Sequence, residues 1–531
     1  MGEEIGRASL SGLDWAVVSA YLAGLVAFGL AKTRRHAEAE EYFLASRQST
    51  WPAIGLSLIA SNLSSTPLVG LAGAAYGMGI SAYDYEWSAV VVLVFFSAFL
   101  LPFILASRVY TLPEYLERRY DRRARIYLAV LTLCLIMAIE VAGVLYSGSL
   151  VCRLLVPDAP LWSIVTVLAG AAAIYTVLGG LRAVINTQAV QAVVLFIGAS
   201  AIAVAAFARA GGWEAVMHGV EPGRLSLIRP IGDPGVPWPG LLLGIPLLGF
   251  YYWCTNQAIV QRVLSARDID HGRRGVLLAG ALKLPVLFLM VLPGICALLL
   301  FPGLKQPDVA YPALIFGLLP AGIKGLVIAS FAAATMASVA SSLNAAATLF
   351  TMDIVRPALL GADESRLVAI GRVATAFCLV LSVAWAPQIE TFGVLWQYLQ
   401  AILAYAVPPT VAVVLVGMFW RGANAAGAAA TLSLGSACSV ALFLSNAVFG
   451  WTSMHFLYAA PLLFAIDVMI LVVVSRLAAP SAGEASDSLV WSPCFYREET
   501  QRLAGVPVWR NHRVLSLALL ALTALVVFLF R

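Results

Sequence analysis

The chain has 531 residues, 61% of them hydrophobic and 11% charged, with a formal net charge of +5 and a mean hydropathy of +0.90. A soluble domain carries about 25% charged residues, so this composition excludes a soluble enzyme or binding module and defines a polytopic membrane protein. The small positive excess implies no nucleic-acid partner and matters only through where the arginines lie.

The first residues, MGEEIGRASLSGLDW, are acidic and lack a basic n-region, so they do not read as a cleavable signal. Apolar runs follow at 14–32, 52–80, 84–106, 126–152, 160–180, 186–208, 239–261, 275–301, 323–350, 368–387, 391–419, 424–447, 456–475 and 512–530. They predict about fourteen transmembrane helices. The loops alternate in charge. One set holds Arg34, Arg35 and Arg47, then Arg118, Arg119, Arg122, Arg123 and Arg125, then Arg182, Arg273, Arg274, Arg356, Arg421 and Arg476. The other set is sparse, with Arg153, Arg209, Arg224, Arg229 and Lys305. Because arginine-rich loops stay in the cytoplasm, both termini are expected to be extracytoplasmic. Tyr110–Arg125 reads as an amphipathic surface helix suited to anionic headgroups. The stretch 477–511 reads as a cytoplasmic tether with interfacial aromatic anchors. The seven cysteines are scattered without CxxC spacing, and most lie in apolar segments, which predicts free thiols.

The second run is polar at its centre. Ala60-Ser61-Asn62-Leu63-Ser64-Ser65-Thr66-Pro67 places hydroxyls, an amide and a proline at bilayer depth. Proline removes a helix donor, and irregular backbone in the membrane survives only where protein or water satisfies it. A broken helix lining a site near the midplane is predicted, with a proline-kinked packing helix as the plainer alternative. The segment Phe331–Ile354 is almost all small residues and predicts close helix packing.

Ionisable groups inside spans are costly and need a partner or a purpose. Glu86 opens the third span, Lys283 sits beside Pro285, and Gln188 and Gln191 begin the sixth run. Asn256 and Gln257 follow Phe250-Tyr251-Tyr252-Trp253, and Gln397 and Gln400 precede Pro408 and Pro409. Glu86 and Lys283 can neutralise each other. With Asn62 and Gln400 they also offer carboxylate, ammonium and amide groups to vicinal hydroxyls, and aromatic faces pack on sugar C–H faces. Glu140 and Asp467 are assigned to helix packing or a water pocket. No HExxH, phosphate loop or nucleophile–base arrangement suggests catalysis.

Several stretches carry a family resemblance: IASNLSSTPLVGLAG (59–73), YEWSA (85–89), TLPEYLERRY (111–120), YTVLGGLRAVINTQAVQ (175–191), YYWCTNQAIVQRVLSA (251–266), ALKLPVLFLMVLPG (281–294), SLNAAATLFTMDI (342–354) and LQAILAYAVPPTVAV (399–413). On these the chain resembles the sodium/solute symporters over its whole length, and most of all their sodium/glucose cotransporter branch. The resemblance implies an all-α membrane protein forming a single transport domain over 1–531. It would have a leading helix at 14–32, inverted five-helix repeats at 52–208 and 239–419, and additional helices in 424–531. The first and sixth core helices, 52–80 and 239–261, would be broken.

The resemblance assigns sugar binding to Asn62, Glu86, Tyr252, Trp253, Lys283 and Gln400. It assigns sodium binding to backbone carbonyls of Ala60, Leu63 and Ala334 and the hydroxyl of Ser338. This chain departs from the pattern at Pro67, where the branch has a polar side chain, and at Ala337, which lacks the second sodium-site hydroxyl. Gln188 and Ala340 stand where a second sodium site would need an aspartate and a hydroxyl. The implied function is sodium-coupled symport of a glucose- or galactose-like monosaccharide or a related polyol, with at most one coupled sodium. The alternatives are sodium-independent sugar transport, a sugar sensor, or symport of inositol, nucleoside or sialic acid. Sugar, sodium and membrane lipid are the expected partners, no cofactor or enzymatic activity is expected, and the location is the plasma membrane (the inner membrane in a bacterium).

Overall fold

The computed structural model describes residues 9–32, 47–62, 64–156, 158–359, 363–478 and 489–531. These residues are helical nearly throughout, with only isolated bridges such as Ser49 to Ala266. In chain order the helices are α1 (Gly12–Lys32), α2 (Trp51–Asn62), α3 (Ser65–Met78), α4 (Ile80–Ser107), α5 (Leu112–Arg119), α6 (Arg122–Leu155), α7 (Leu161–Arg209) and α8 (Gly212–Gly219). Then come α9 (Trp238–Phe250), α10 (Gln257–Leu264), α11 (Ile269–Leu300), α12 (Ala310–Leu318), α13 (Ile323–Val355) and α14 (Arg366–Phe392). The rest are α15 (Leu395–Ala406), α16 (Pro408–Phe419), α17 (Ala425–Asn446), α18 (Phe456–Leu477), α19 (Pro493–Leu503) and α20 (His512–Leu529).

Eight of the described helices are individually long and apolar enough to cross a membrane, and three further bent pairs qualify when each is taken as one span. The expected separate runs 160–180 and 186–208 both lie within one helix, α7, of 49 residues. No proline interrupts Leu181-Arg182-Ala183-Val184-Ile185, and Gly179 and Gly180 each cost only about 1 kcal/mol in a helix.

The small-residue helix α13 is buried along most of its length and packs against α7, α1, α6 and α2. Alanine and serine let the neighbouring backbones approach. At one such contact, a Cβ added to Gly148 of α6 would meet Thr335 Cγ2 at 2.9 Å.

Two loop expectations change. The arginines of 110–125 do not form one solvated face. Arg119 is 6% exposed and donates to the carbonyls of Gly417 and Trp420, capping the end of α16. Arg125 donates to Asp353 at 2.8 Å, and Thr111 Oγ1 donates to the same carboxylate oxygen. The tether at 489–511 also binds protein. Trp491 N–H donates to the Met418 carbonyl, and its ring packs on Phe99 and Phe419.

Asp308, just before α12, is wedged between α3 and the start of α15. It is 2% exposed, its Oδ2 accepts the Leu395 N–H at 2.9 Å, and a Cβ on Gly73 would sit 2.6 Å from its Oδ1. Burial pushes its carboxyl up to about 7, against the opposing Leu395 hydrogen bond. An unfolded aspartate titrates near 4. The folded state therefore holds the proton more tightly, and the cost of burying the carboxylate grows as pH rises from about 4 and is complete above about 7. Thermal unfolding in detergent is expected to show stability falling across this window by a few kcal/mol, and Asp308→Asn is expected to flatten the profile.

Candidate functional site

The break between α2 and α3 follows from the residues that span it. Pro67 lies in the first turn of α3, where a missing N–H costs nothing. The two helices are bent by 56°. The second break follows α9, where Tyr251–Thr255 forms a π turn and Asn256 takes extended backbone (φ −66, ψ 124). Asn256 then caps α10, its Oδ1 accepting the N–H groups of Ala258 and Ile259.

Both breaks open on one cavity. Asn62, Glu86, Tyr252, Trp253, Lys283 and Gln400, expected together from the resemblance, all line it. Lys283 on α11 is 1% exposed and donates to both Glu86 Oε2 on α4 and Asn62 Oδ1 at the end of α2. Asn62 Nδ2 donates to the Tyr252 hydroxyl at 3.4 Å. The Lys283 ammonium lies 5.0 Å from the centre of the Trp253 ring, and Tyr252 and Trp253 meet edge to face. Glu86, Lys283, Asn62 and Tyr252 thus form a continuous polar chain across four helical segments, with an aromatic wall beside it. Gln400 on α15 makes no hydrogen bond among the described residues, so its amide is available to a ligand. Trp396 and Tyr85, which meet edge to face at 5.8 Å, complete the wall near it.

The hydroxyls of the first break serve two tasks. Ser61, Ser64 and Thr66 line the cavity. Ser65 instead donates to the Val144 carbonyl at 3.2 Å, and Thr66 and Ser65 both bond Ser147 of α6. Those two hold α3 to α6.

Of the residues tied to sodium, Ala60 is buried at the end of α2, and Ala334, Ala337 and Ser338 are buried within one turn of each other on α13, a helix that contacts both α2 and α3. Ser338 lines the cavity, and its hydroxyl has no partner among the described residues. Leu63 and the side chain of Gln188 lie outside what the structure describes. Ala340 is buried on α13.

The sequence reading missed Glu140. It lines the cavity, with Oε1 accepting from Asn256 Nδ2 and Oε2 accepting from Ser342 Oγ at 2.7 Å. Its position beside Ile139, Leu135 and Val144, all cavity-lining, gives the helix face, but one helix's periodicity does not say what that face meets. Asp467 is fully buried on α18 facing α17, where a Cβ on Gly435 would collide with its Oδ1, and neither carboxylate oxygen has a partner among the described residues.

An all-helical membrane protein with two interrupted helices meeting at a polar and aromatic cavity has the build of a secondary transporter. Residues 42–435 match the sodium:solute symporter family, and the chain belongs to it. It is 33% identical to sodium/glucose cotransporter 4 of Danio rerio, over 94% of this chain and 84% of that one. It is 34% identical to sodium/myo-inositol cotransporter 2 of Oryctolagus cuniculus, over 91% of this chain and 79% of that one. The fold is shared with a substrate-bound, outward-open sodium-coupled sialic acid symporter, at a TM-score of 0.76 and 22% identity, over 89% of this chain and 99% of that one.

Proposed function

We propose that this protein couples sodium entry to uptake of a cyclic polyhydroxylated solute, a hexose or a related polyol. The observation that carries the reading is the chain Glu86–Lys283–Asn62–Tyr252 lining one cavity with Trp253 and Gln400. Carboxylate, ammonium and amides supply acceptors and donors in the mixture that vicinal hydroxyls require. Trp253 and Trp396 supply the flat apolar faces that pack on ring C–H groups. Sodium/glucose and sodium/myo-inositol cotransporters among the relatives support the same solute class. Gln400→Ala is expected to weaken sugar binding about tenfold to a hundredfold, as one lost hydrogen bond of about 1–3 kcal/mol would. Titration of intrinsic tryptophan fluorescence with a panel of hexoses and inositols checks it. Unchanged affinity in both Gln400→Ala and Glu86→Ala would place the sugar elsewhere.

Sodium is assigned to the carbonyls of Ala60, Leu63 and Ala334 with the Ser338 hydroxyl. That hydroxyl is buried and has no partner among the described residues, which supports the assignment. Repeats at 52–208 and 239–419, with both breaks in matching positions, are part of the same proposal. So is a topology with both termini outside and α19 in the cytoplasm. Cys494 on α19 is exposed. A membrane-impermeant maleimide is expected to spare it in intact cells and to label it after permeabilisation, and labelling from outside would reverse the topology.

A further inference from the structure

Glu86 and Glu140 are the two carboxylates lining the cavity, and their surroundings differ. Glu86 is neutralised by Lys283. Glu140 makes no ion pair among the described residues, and its two bonded partners, Asn256 and Ser342, are neutral. Arg262, buried and bonded to Ser57, Ser341 and the Ala258 carbonyl, balances the Glu140 charge through space without a direct bond to it among the described residues. The carboxylate face toward the cavity is thus left without a cation in direct contact.

The hydrogen bonds around Glu140 define what that face can take. Asn256 directs its amide N–H to Glu140 while its oxygen is committed to capping α10. Ser342 spends its proton on Oε2. Glu140 and Ser342 themselves then offer the cavity acceptor capacity: further carboxylate lone pairs and those of the Ser342 hydroxyl. One turn away on α13, Ser338 lines the same cavity, 5% exposed and with its hydroxyl unpartnered among the described residues. A carboxylate favours a cation over an anion, Ser338 can turn its lone pairs to the same ion, and an ion sheds water only where protein oxygens replace it.

We infer that Glu140, with the hydroxyls of Ser342 and Ser338, forms the charged wall of a monovalent metal-cation site on the Asn256 side of the cavity, filled by sodium. The inference rests on the sodium-coupled reading above and adds to it a carboxylate ligand. That ligand compensates for the hydroxyl missing at Ala337. Because Asn256 joins Glu140 to the second helix break, an ion drawn to the carboxylate also bears on the segment that carries Tyr252 and Trp253.

Binding of radioactive sodium to the purified full-length protein, at neutral pH and against potassium and choline, tests this in wild type, Glu140→Gln, Glu140→Asp and Ser342→Ala. Saturable binding is expected in wild type. Glu140→Gln is expected to weaken it at least tenfold, the scale of one lost charge-assisted contact, with Glu140→Asp in between and Ser342→Ala weakened less. An unaltered size-exclusion profile in Glu140→Gln separates ligand loss from misfolding, and Glu140→Asp serves if that variant aggregates. Wild-type affinity in Glu140→Gln would overturn the inference alone. Absence of sodium binding in wild type would overturn the sodium-coupled reading first, and the site with it. Uptake driven by a proton gradient, blind to sodium and lost in Glu140→Gln, would also overturn it, because the carboxylate would then carry a proton.

Discussion

Lys283→Met is expected to destabilise the protein by about 3–5 kcal/mol, the cost of leaving a buried carboxylate without its partner. Glu86 and Lys283 are 3% and 1% exposed, and Lys283 also holds Asn62 at the first helix break. The variant therefore loses the ion pair and the anchor of α2 together, and sugar binding is expected to disappear with them. Glu86→Gln is expected to show a comparable loss, since it strands the ammonium. The double variant Glu86→Gln/Lys283→Met removes both charges, and a buried pair replaced by neutral groups is often nearly neutral in stability. It is thus expected to be more stable than either single variant while still failing to bind sugar. Unfolding of the four proteins in detergent checks this as a thermodynamic cycle. Additive losses would show that the two charges do not act as a pair.

The second large effect is expected at Gly294 on α11. A Cβ there would meet the Ala72 carbonyl oxygen at 2.4 Å, Ala72 Cα at 2.9 Å and Ala75 Cβ at 2.9 Å. Two of these are backbone atoms of α3, so no side chain can swing aside. Gly294→Ala must push α3 away from α11, and overpacking of this kind costs about 1–3 kcal/mol or more. Because α3 forms one half of the broken helix, the strain reaches the cavity. Both a lower unfolding temperature and weaker sugar binding are expected, and a wild-type profile in both would show that α3 does not depend on this contact.

The sequence made the first break legible because Pro67 and a run of hydroxyls and Asn62 contradict an otherwise apolar span. The second break is implied only by the family resemblance, which puts it in 239–261. The charged pair was legible because two intramembrane charges of opposite sign need each other. What sequence did not reveal was which hydroxyls serve which task. Ser61 and Ser65 are close in sequence on either side of the break, yet one lines the cavity and the other ties α3 to α6. The arginines of 110–125 were read together, although Arg119 and Arg125 are staples to α16 and α13. Glu140 was set aside for the same reason. A helix pattern reports that a face is buried, and the identity of what lies across it is a tertiary fact.

The most direct test of sodium-coupled uptake is accumulation of radiolabelled hexose or inositol by proteoliposomes containing the purified protein. An inward sodium gradient is expected to drive transient accumulation above the external concentration. That accumulation is expected to collapse when a sodium ionophore is added, and to be absent when potassium replaces sodium. Equal uptake in sodium and potassium, with no accumulation in either, would contradict the account.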